Sequence, residues 1–124
     1  MSLPDLGITL CGVHFRNPTV LASGILGLSE DLLIRVGAAG AGAVVTKSCG
    51  LKPRAGYPNP VVADWGGGLI NAVGLSNPGV DLTMEEVRTA KRTLKPQGVA
   101  VIASIFAESV WDYGLVAQRI SAAA

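Results

Sequence analysis

Short polar residues and a lysine stand where apolar runs of the sequence end. The runs cover residues 19–22, 43–46 and 99–106, and the residues at or near their ends are Ser23, Gly24, Lys47, Ser48 and Ser104. The carboxyl ends of parallel strands lie on one face of a sheet, where ligands bind in α/β barrels and open α/β sheets. If these runs form parallel strands, the residues at their ends share one ligand-binding face.

Lys47 is the most informative of these residues because it directly continues the apolar run at residues 43–46. Neighbours of that kind restrict the solvation of the ammonium group, which then favours an anionic partner. A phosphate, a carboxylate or an electron-rich ring oxygen would serve. A solvated surface charge is the ordinary alternative for a single lysine.

The segment at residues 71–79 reads NAVGLSNPG. Asparagine, glycine and proline are the residues that turns favour, so a turn is its simplest interpretation. Residues 76–79 are expected to lead the chain into the next helix. The carboxamide of Asn71 and the bare backbone at Gly74 leave a binding role open for the first half of the segment.

Two other segments have the pattern of β-hairpins. Residues 8–15 alternate apolar and polar types around Cys11 and Gly12. Residues 61–73 contain two short candidate strands, one on each side of a run of glycines at residues 66–68. Residues 49–60 contain several prolines and glycines, which predicts a loop.

Helices are predicted between the apolar runs. Ser29 is a suitable N-cap for the first helix, and residues 83–86 fit a capping box at the start of the second. Pro96 and Gly98 end that second helix. Ser109 is expected to cap a third helix, whose apolar face would hold Val110, Tyr113, Val116 and Ile120.

Strands without alternation, separated by amphipathic helices, indicate a parallel sheet covered by helices. An open doubly wound sheet and a (β/α)₈ barrel both fit this order. The glycine-rich residues 37–42 do not fit a dinucleotide-binding fingerprint, because they follow a helix and open a strand. They suit a helix end and a tight connection instead.

The composition excludes several classes of function. The 124 residues carry a formal net charge of +1, and only 15% are charged. This balance predicts no nucleic-acid surface and no membrane contact. Residues 1–10 lack a signal sequence and no apolar run could span a bilayer, so we expect a cytoplasmic location. Cys11 and Cys49 have neither metal-binding nor disulfide spacing, and Cys49 is expected to be a buried or loop thiol.

Four segments together resemble the dihydroorotate dehydrogenase family, in particular its soluble class 1 branch. They are NPTVLASGILG (17–27), GAGAVVTKS (40–48), YPNP (57–60) and NAVGLSNPG (71–79), in order and at appropriate spacing. The resemblance implies an α/β fold in which residues 1–124 are the N-terminal part of a single FMN-binding (β/α)₈ (TIM) barrel domain with inserted β-hairpins. It also implies flavin-dependent oxidation of dihydroorotate to orotate in de novo pyrimidine (UMP) biosynthesis.

The resemblance assigns roles to individual positions. Those that match FMN contacts are Ala22, Ser23, Gly24, Lys47, Ser48 and Ser104. Those that match substrate contacts are Lys47, Asn71, Ala72, Val73, Gly74 and Leu75. A carboxamide and bare N–H groups suit the polar edges of orotate. Lys47 can pair with the substrate carboxylate and stabilise negative charge on the reduced flavin.

The chain departs from the family pattern at two points. Ser104 stands where the family often has an asparagine, and serine keeps only one short donor and acceptor. The family's catalytic cysteine matches neither Cys11 nor Cys49, and it belongs to a later part of the barrel. The sequence therefore predicts no catalytic base and no metal site within residues 1–124, which would supply one wall of the site.

The resemblance also implies partners. A homo-oligomer is expected, and in one class 1 subtype a subunit with FAD and an iron–sulfur cluster passes electrons to NAD, whereas another subtype reduces fumarate. Two alternatives stay open. One is a related FMN barrel such as a dihydropyrimidine dehydrogenase domain, and the other is a catalytically silent, truncated fragment.

Overall fold

The computed structural model describes residues 4–123. Residues 1–3 and residue 124 lie outside the described residues. The expectation that residues 1–10 lack a signal sequence rests in part on residues 1–3. The strands are β1 (Ile8–Leu10), β2 (Val13–Phe15), β3 (Val20–Leu21), β4 (Ala43–Val45), β5 (Val62–Asp64), β6 (Leu69–Asn71) and β7 (Ala100–Ile102). The helices are α1 (Glu30–Ala38), α2 (Val80–Leu94) and α3 (Val110–Ser121), with 3₁₀ turns at Ile25–Gly27 and Lys95–Gln97.

A parallel sheet lies at the centre of the described region. Its three strands have the order β3-β4-β7, so β4 pairs with both neighbours. Ala43 and Val44 of β4 are 0% exposed. Burial on both faces explains why this strand is a continuous apolar run instead of an alternating one. The predicted parallel sheet is confirmed, and the chain has a mixed α/β fold.

Helices α1 and α2 pack together against this sheet. Leu33 of α1 and Leu94 of α2 join Val44 in one buried apolar cluster. Gly37 lets the helices approach closely, since a Cβ atom there would lie 2.4 Å from Leu94 Cδ2. The contact accounts for a glycine inside a helix, where it costs about 1 kcal/mol relative to alanine.

Both predicted hairpins are present. β1 pairs antiparallel with β2, and β5 pairs antiparallel with β6. The β5–β6 hairpin lies between β4 and α2, so it is an insertion in that strand–helix unit. Residues 49–60, which precede it, contain no helix and no strand, as predicted, apart from isolated bridges at Cys49 and Arg54.

The start of α2 differs from the prediction. A capping box at residues 83–86 would begin the helix there, but α2 begins at Val80 with Gly79 as its N-cap residue. Thr83 lies within the first turn, where its hydroxyl donates to Gly79 O at 2.9 Å. Gly79 has a φ of 86°, and its N–H donates to the buried Asn77 Oδ1 at 2.9 Å. The Asn77 side chain, which also accepts a hydrogen bond from the Gly50 N–H, therefore sets the helix start.

Helix α3 begins as predicted. The Ser109 Oγ accepts a hydrogen bond from the Asp112 N–H at 3.1 Å. Its predicted apolar face is only half correct, because burial is confined to the part of the helix that packs against the cluster around Val80. The buried residues are Val116 and Ile120, whereas Val110 and Tyr113 are exposed.

Among residues 4–123, no helix has the length and apolar character needed to cross a bilayer. Within the same part of the chain, no group of His, Cys, Asp or Glu is arranged to hold a metal ion.

Candidate ligand-binding site at the strand ends

Hydrogen bonds join the segments that follow β4 and β7. Ser48 Oγ and Ser104 Oγ lie 2.7 Å apart, and the Ser104 N–H donates to Thr46 Oγ1 at 3.0 Å. The Cys49 N–H donates to Ser104 O at 3.0 Å, so main-chain pairing continues past the ends of the strands. The parallel register therefore brings the predicted flavin-contacting residues Ser48 and Ser104 into direct contact.

The segment after β3 is fixed against the end of β4. The 3₁₀ turn at Ile25–Gly27 packs so closely that a Cβ atom on Gly27 would lie 2.6 Å from Val45 O. Gly27 O accepts a hydrogen bond from the Lys47 N–H at 2.7 Å. Predicted flavin-contacting residues occupy the stretch between β3 and this turn, and they are Ala22, Ser23 and Gly24. The turn thus ties that stretch to the backbone of Lys47.

Lys47 is half-buried between these segments. The ion pairs found among residues 4–123 are Arg54–Glu108, Arg88–Glu85 and Arg119–Asp81. Lys47 belongs to none of them, so its ammonium group remains available to an anion from outside this part of the chain. A half-buried cation without an internal counter-ion is the arrangement expected of an anion-binding lysine.

The loop before β5 holds the segment after β6 by main-chain hydrogen bonds. The Ala72 N–H donates to Val61 O at 2.9 Å, and the Tyr57 N–H donates to Val73 O at 3.1 Å. The predicted substrate segment, residues 71–75, is thereby tied to the inserted loop.

The backbone of Gly74 lies against Tyr57 of the loop that precedes β5. Its φ is 77°, and a Cβ atom there would lie 2.7 Å from Tyr57 Cδ2. The close backbone approach expected at Gly74 is therefore made, within this chain, to Tyr57. Tyr57 is 61% exposed, which places it on the surface beside the predicted substrate segment.

Asn71 forms no hydrogen bond with the strand-end residues within residues 4–123. It is exposed at the last position of β6, opposite Val62. The hydrogen bonds of residues 4–123 connect the predicted flavin-side residues to one another and the predicted substrate segment to the inserted loop. None of them joins the two groups directly.

Asn77 belongs to the site region but was not assigned a role from the sequence. It is buried, with 7% exposure, and it exchanges a pair of main-chain hydrogen bonds with Arg54, each 2.9 Å long. Asparagine two residues before a helix N-cap often bonds the local backbone, and that signal was present in the sequence. Residues 76–79 do lead into α2 as predicted, but Asn77 also anchors the loop.

Comparison with known proteins decides the family. The family model described as Dihydroorotate dehydrogenase matches residues 5–124. The chain belongs to the dihydroorotate dehydrogenase family.

Curated relatives agree on the branch. The protein named Dihydroorotate dehydrogenase B (NAD(+)), catalytic subunit, from Methanocaldococcus jannaschii is 42% identical over 115 residues, which are 93% of this chain and 38% of the relative. The protein of that name from Thermoplasma acidophilum is 50% identical over 111 residues, which are 90% of this chain and 36% of the relative. The predicted resemblance to the class 1 branch is confirmed. The chain spans less than two fifths of the length of these relatives.

A solved structure of the family has the same fold. The crystal structure of DHODH in complex with ferulenol from Eimeria tenella superposes with a TM-score of 0.81 at 19% sequence identity. The match covers 98% of this chain and 35% of that protein. The agreement therefore extends from sequence to fold.

Cys49 is a core residue of the chain. It is 0% exposed and packs with Val80 and Val116. Burial raises the pKa of the Cys49 thiol above its ordinary value of 9.0. A thiol that stays protonated at neutral pH is a weak nucleophile. The prediction that Cys49 is a buried thiol is confirmed.

Proposed function

We propose that residues 1–124 are the N-terminal part of a single (β/α)₈ barrel domain that binds FMN and oxidises dihydroorotate to orotate in de novo pyrimidine biosynthesis. Membership of the flavin-dependent dihydroorotate dehydrogenase family supports the reaction. The observation that carries the assignment of the site is the convergence of Lys47, Ser48 and Ser104 at the carboxyl ends of neighbouring parallel strands. That face holds the active site in barrels of this kind.

The strand-end residues fit a flavin by their chemistry. The pyrimidine edge of the isoalloxazine ring carries carbonyl and ring-nitrogen acceptors, and the hydroxyls of Ser23, Ser48 and Ser104 are short donors and acceptors. Lys47 is half-buried and forms no ion pair with residues 4–123, so its ammonium group would supply positive charge beside the pyrimidine edge of a bound flavin. Ala22 and Gly24 complete the proposed wall by leaving the backbone accessible. These residues would hold and orient FMN, which when bound would supply the hydride acceptor.

The substrate segment is proposed to lie at residues 71–75. The Asn71 carboxamide is exposed and able to pair with an imide edge of orotate. The turn conformation of Gly74 and Leu75, both with positive φ, presents backbone N–H groups in a fixed arrangement. Ala72 and Val73 are fixed by main-chain bonds to the inserted loop, which orients Asn71 beside them. Lys47 is proposed to contact the substrate carboxylate as well as the flavin.

A partner subunit is part of the proposal. The relatives are named catalytic subunits of a dihydroorotate dehydrogenase B (NAD(+)). A second subunit that carries FAD and an iron–sulfur cluster would pass electrons from the flavin to NAD. We further propose that the catalytic chain forms a homo-oligomer in the cytoplasm.

The test uses the full-length protein that contains this chain. Lys47→Ala should lower kcat/KM for dihydroorotate by about 100-fold or more, because a charge that stabilises a reacting group contributes that much. Lys52→Ala, which changes an exposed lysine in the adjoining loop, is the matched control and should leave kcat/KM unchanged. Equal kcat/KM values for the wild-type protein and the Lys47 variant would show that Lys47 is not part of the site. A full-length wild-type protein without flavin or without dihydroorotate oxidation would refute the proposed function itself.

A further inference from the structure

The Asn77 side chain connects three parts of the site region. Its Oδ1 accepts hydrogen bonds from the Gly50 N–H at 3.2 Å and from the Gly79 N–H at 2.9 Å. Its Nδ2 donates to Leu75 O at 2.7 Å. These bonds link the segment after β4, the start of α2 and the end of residues 71–75.

The bond to Leu75 matters most because of the conformation of that residue. Leu75 has a φ of 54°, in the left-handed region that residues with a side chain seldom adopt. Such a conformation persists only where surrounding contacts hold it in place. Asn77 Nδ2 holds the Leu75 carbonyl directly, and Asn77 itself is held by its pair of main-chain bonds to Arg54.

We propose that Asn77 is a positioning residue for substrate binding, and this inference rests on the proposed function. In this role Asn77 acts through Leu75 and not by contact with the substrate. It sets the direction of the backbone at Leu75 and so the arrangement of the N–H groups that residues 71–75 present to orotate. The role extends beyond a helix start, because a cap for α2 requires only the bond from Gly79 and not the bond to Leu75.

The test measures orotate affinity and steady-state kinetics of the full-length flavin-loaded protein. Asn77→Asp keeps the size of the side chain and its acceptor oxygen but replaces the donor to Leu75 with a carboxylate oxygen. Loss of this partly buried hydrogen bond predicts roughly a 10-fold weaker orotate Kd. KM for dihydroorotate should rise by a similar factor, with flavin content as in the wild-type protein and kcat changed less than KM.

A matched control separates positioning from general stability. Thr83→Val removes the buried hydroxyl that bonds Gly79 O in the same first turn of α2, without touching Leu75. It should lower the stability of the protein but leave the orotate Kd unchanged. If Asn77→Asp does not accumulate as folded protein, Asn77→Ser, which keeps an acceptor for the Gly79 N–H, carries the same prediction.

The outcomes distinguish this inference from the proposed function. An unchanged orotate Kd in the folded Asn77 variant, or an equal loss in Thr83→Val, would overturn the positioning role. Asn71→Ala serves as the reference, because it removes a proposed direct contact. If Asn71→Ala weakens orotate binding and the Asn77 variant does not, only the inference fails. If neither change weakens orotate binding, both the positioning role of Asn77 and the proposed substrate site are refuted.

Discussion

Replacement of Gly27 by alanine would test how the segment after β3 is positioned. The added Cβ would lie 2.6 Å from Val45 O and 2.8 Å from Lys47 N, and both are main-chain atoms at the end of β4. Neither can move without disturbing the central strand of the sheet. The 3₁₀ turn must therefore shift away, which breaks the 2.7 Å hydrogen bond from the Lys47 N–H to Gly27 O.

The expected magnitude follows from these two effects. Overpacking of a well-packed site costs about 1–3 kcal/mol. Loss of the hydrogen bond adds about 1 kcal/mol. Gly27→Ala should thus lower the free energy of unfolding by roughly 2–4 kcal/mol. It should also reduce the flavin bound per protein, because Ser23 and the Lys47 backbone are displaced together.

Urea denaturation and visible flavin absorbance of the full-length protein provide the assay. Gly114→Ala in α3 is the matched control, since a Cβ atom there meets nothing within 4 Å. This control should be neutral, or more stable by up to about 1 kcal/mol, because alanine favours a helix. If Gly27→Ala unfolds at the same urea concentration as the wild-type protein and keeps its flavin, the turn does not position this part of the site.

Three further outcomes follow from the structure. Arg16→Met should lower the free energy of unfolding by about 2–3 kcal/mol, because the guanidinium group donates hydrogen bonds to the carbonyls of Gly37, Ala41 and Gln97. Equal urea denaturation midpoints for this variant and the wild-type protein would contradict the prediction. Burial and the charge of Glu30 raise the pKa of the Glu86 carboxyl above 4.5. The folded protein therefore binds the Glu86 proton more tightly than the unfolded protein does, and the free energy of unfolding falls as the pH rises from 4.5 through the folded pKa. Glu86→Gln should accordingly stabilise the protein at neutral pH, with a gain that shrinks towards pH 4.5, and a gain independent of pH would contradict the assignment. Residues 1–124 produced alone should aggregate and hold little flavin. The reason is that β3 and β7 are the outer strands of the described sheet, and a barrel has no exposed strand edges only when it is closed. A monomeric, flavin-loaded preparation would refute this prediction.

The parallel sheet was predictable because its signal is local. β4 lies in an uninterrupted run that Lys47 follows directly, and this pattern indicates both a buried strand and the face on which its end lies. The hairpins and the N-caps Ser29 and Ser109 were predictable for the same reason, since each depends on residues a few positions apart.

The misses have a common physical cause, which is contact between residues distant in sequence. The Ser48–Ser104 hydroxyl pair joins residues separated by 56 positions, and no local pattern predicts it. The capping box at residues 83–86 failed because Asn77 bonds the Gly79 N–H at the start of α2, and Asn77 is itself held by the Gly50 N–H, 27 positions away. Val110 of α3 has helical spacing, but no neighbouring element in the described region covers it.

We propose that the carboxyl ends of β3, β4 and β7 and residues 71–75 line one site for a flavin and orotate. A crystal structure of the full-length protein with orotate bound tests it most directly. We expect a flavin ring against Ser23, Lys47 and Ser104, with orotate in hydrogen-bonding distance of the Asn71 carboxamide. Flavin or orotate bound on another face, with Lys47 and Asn71 in contact with neither, would contradict it.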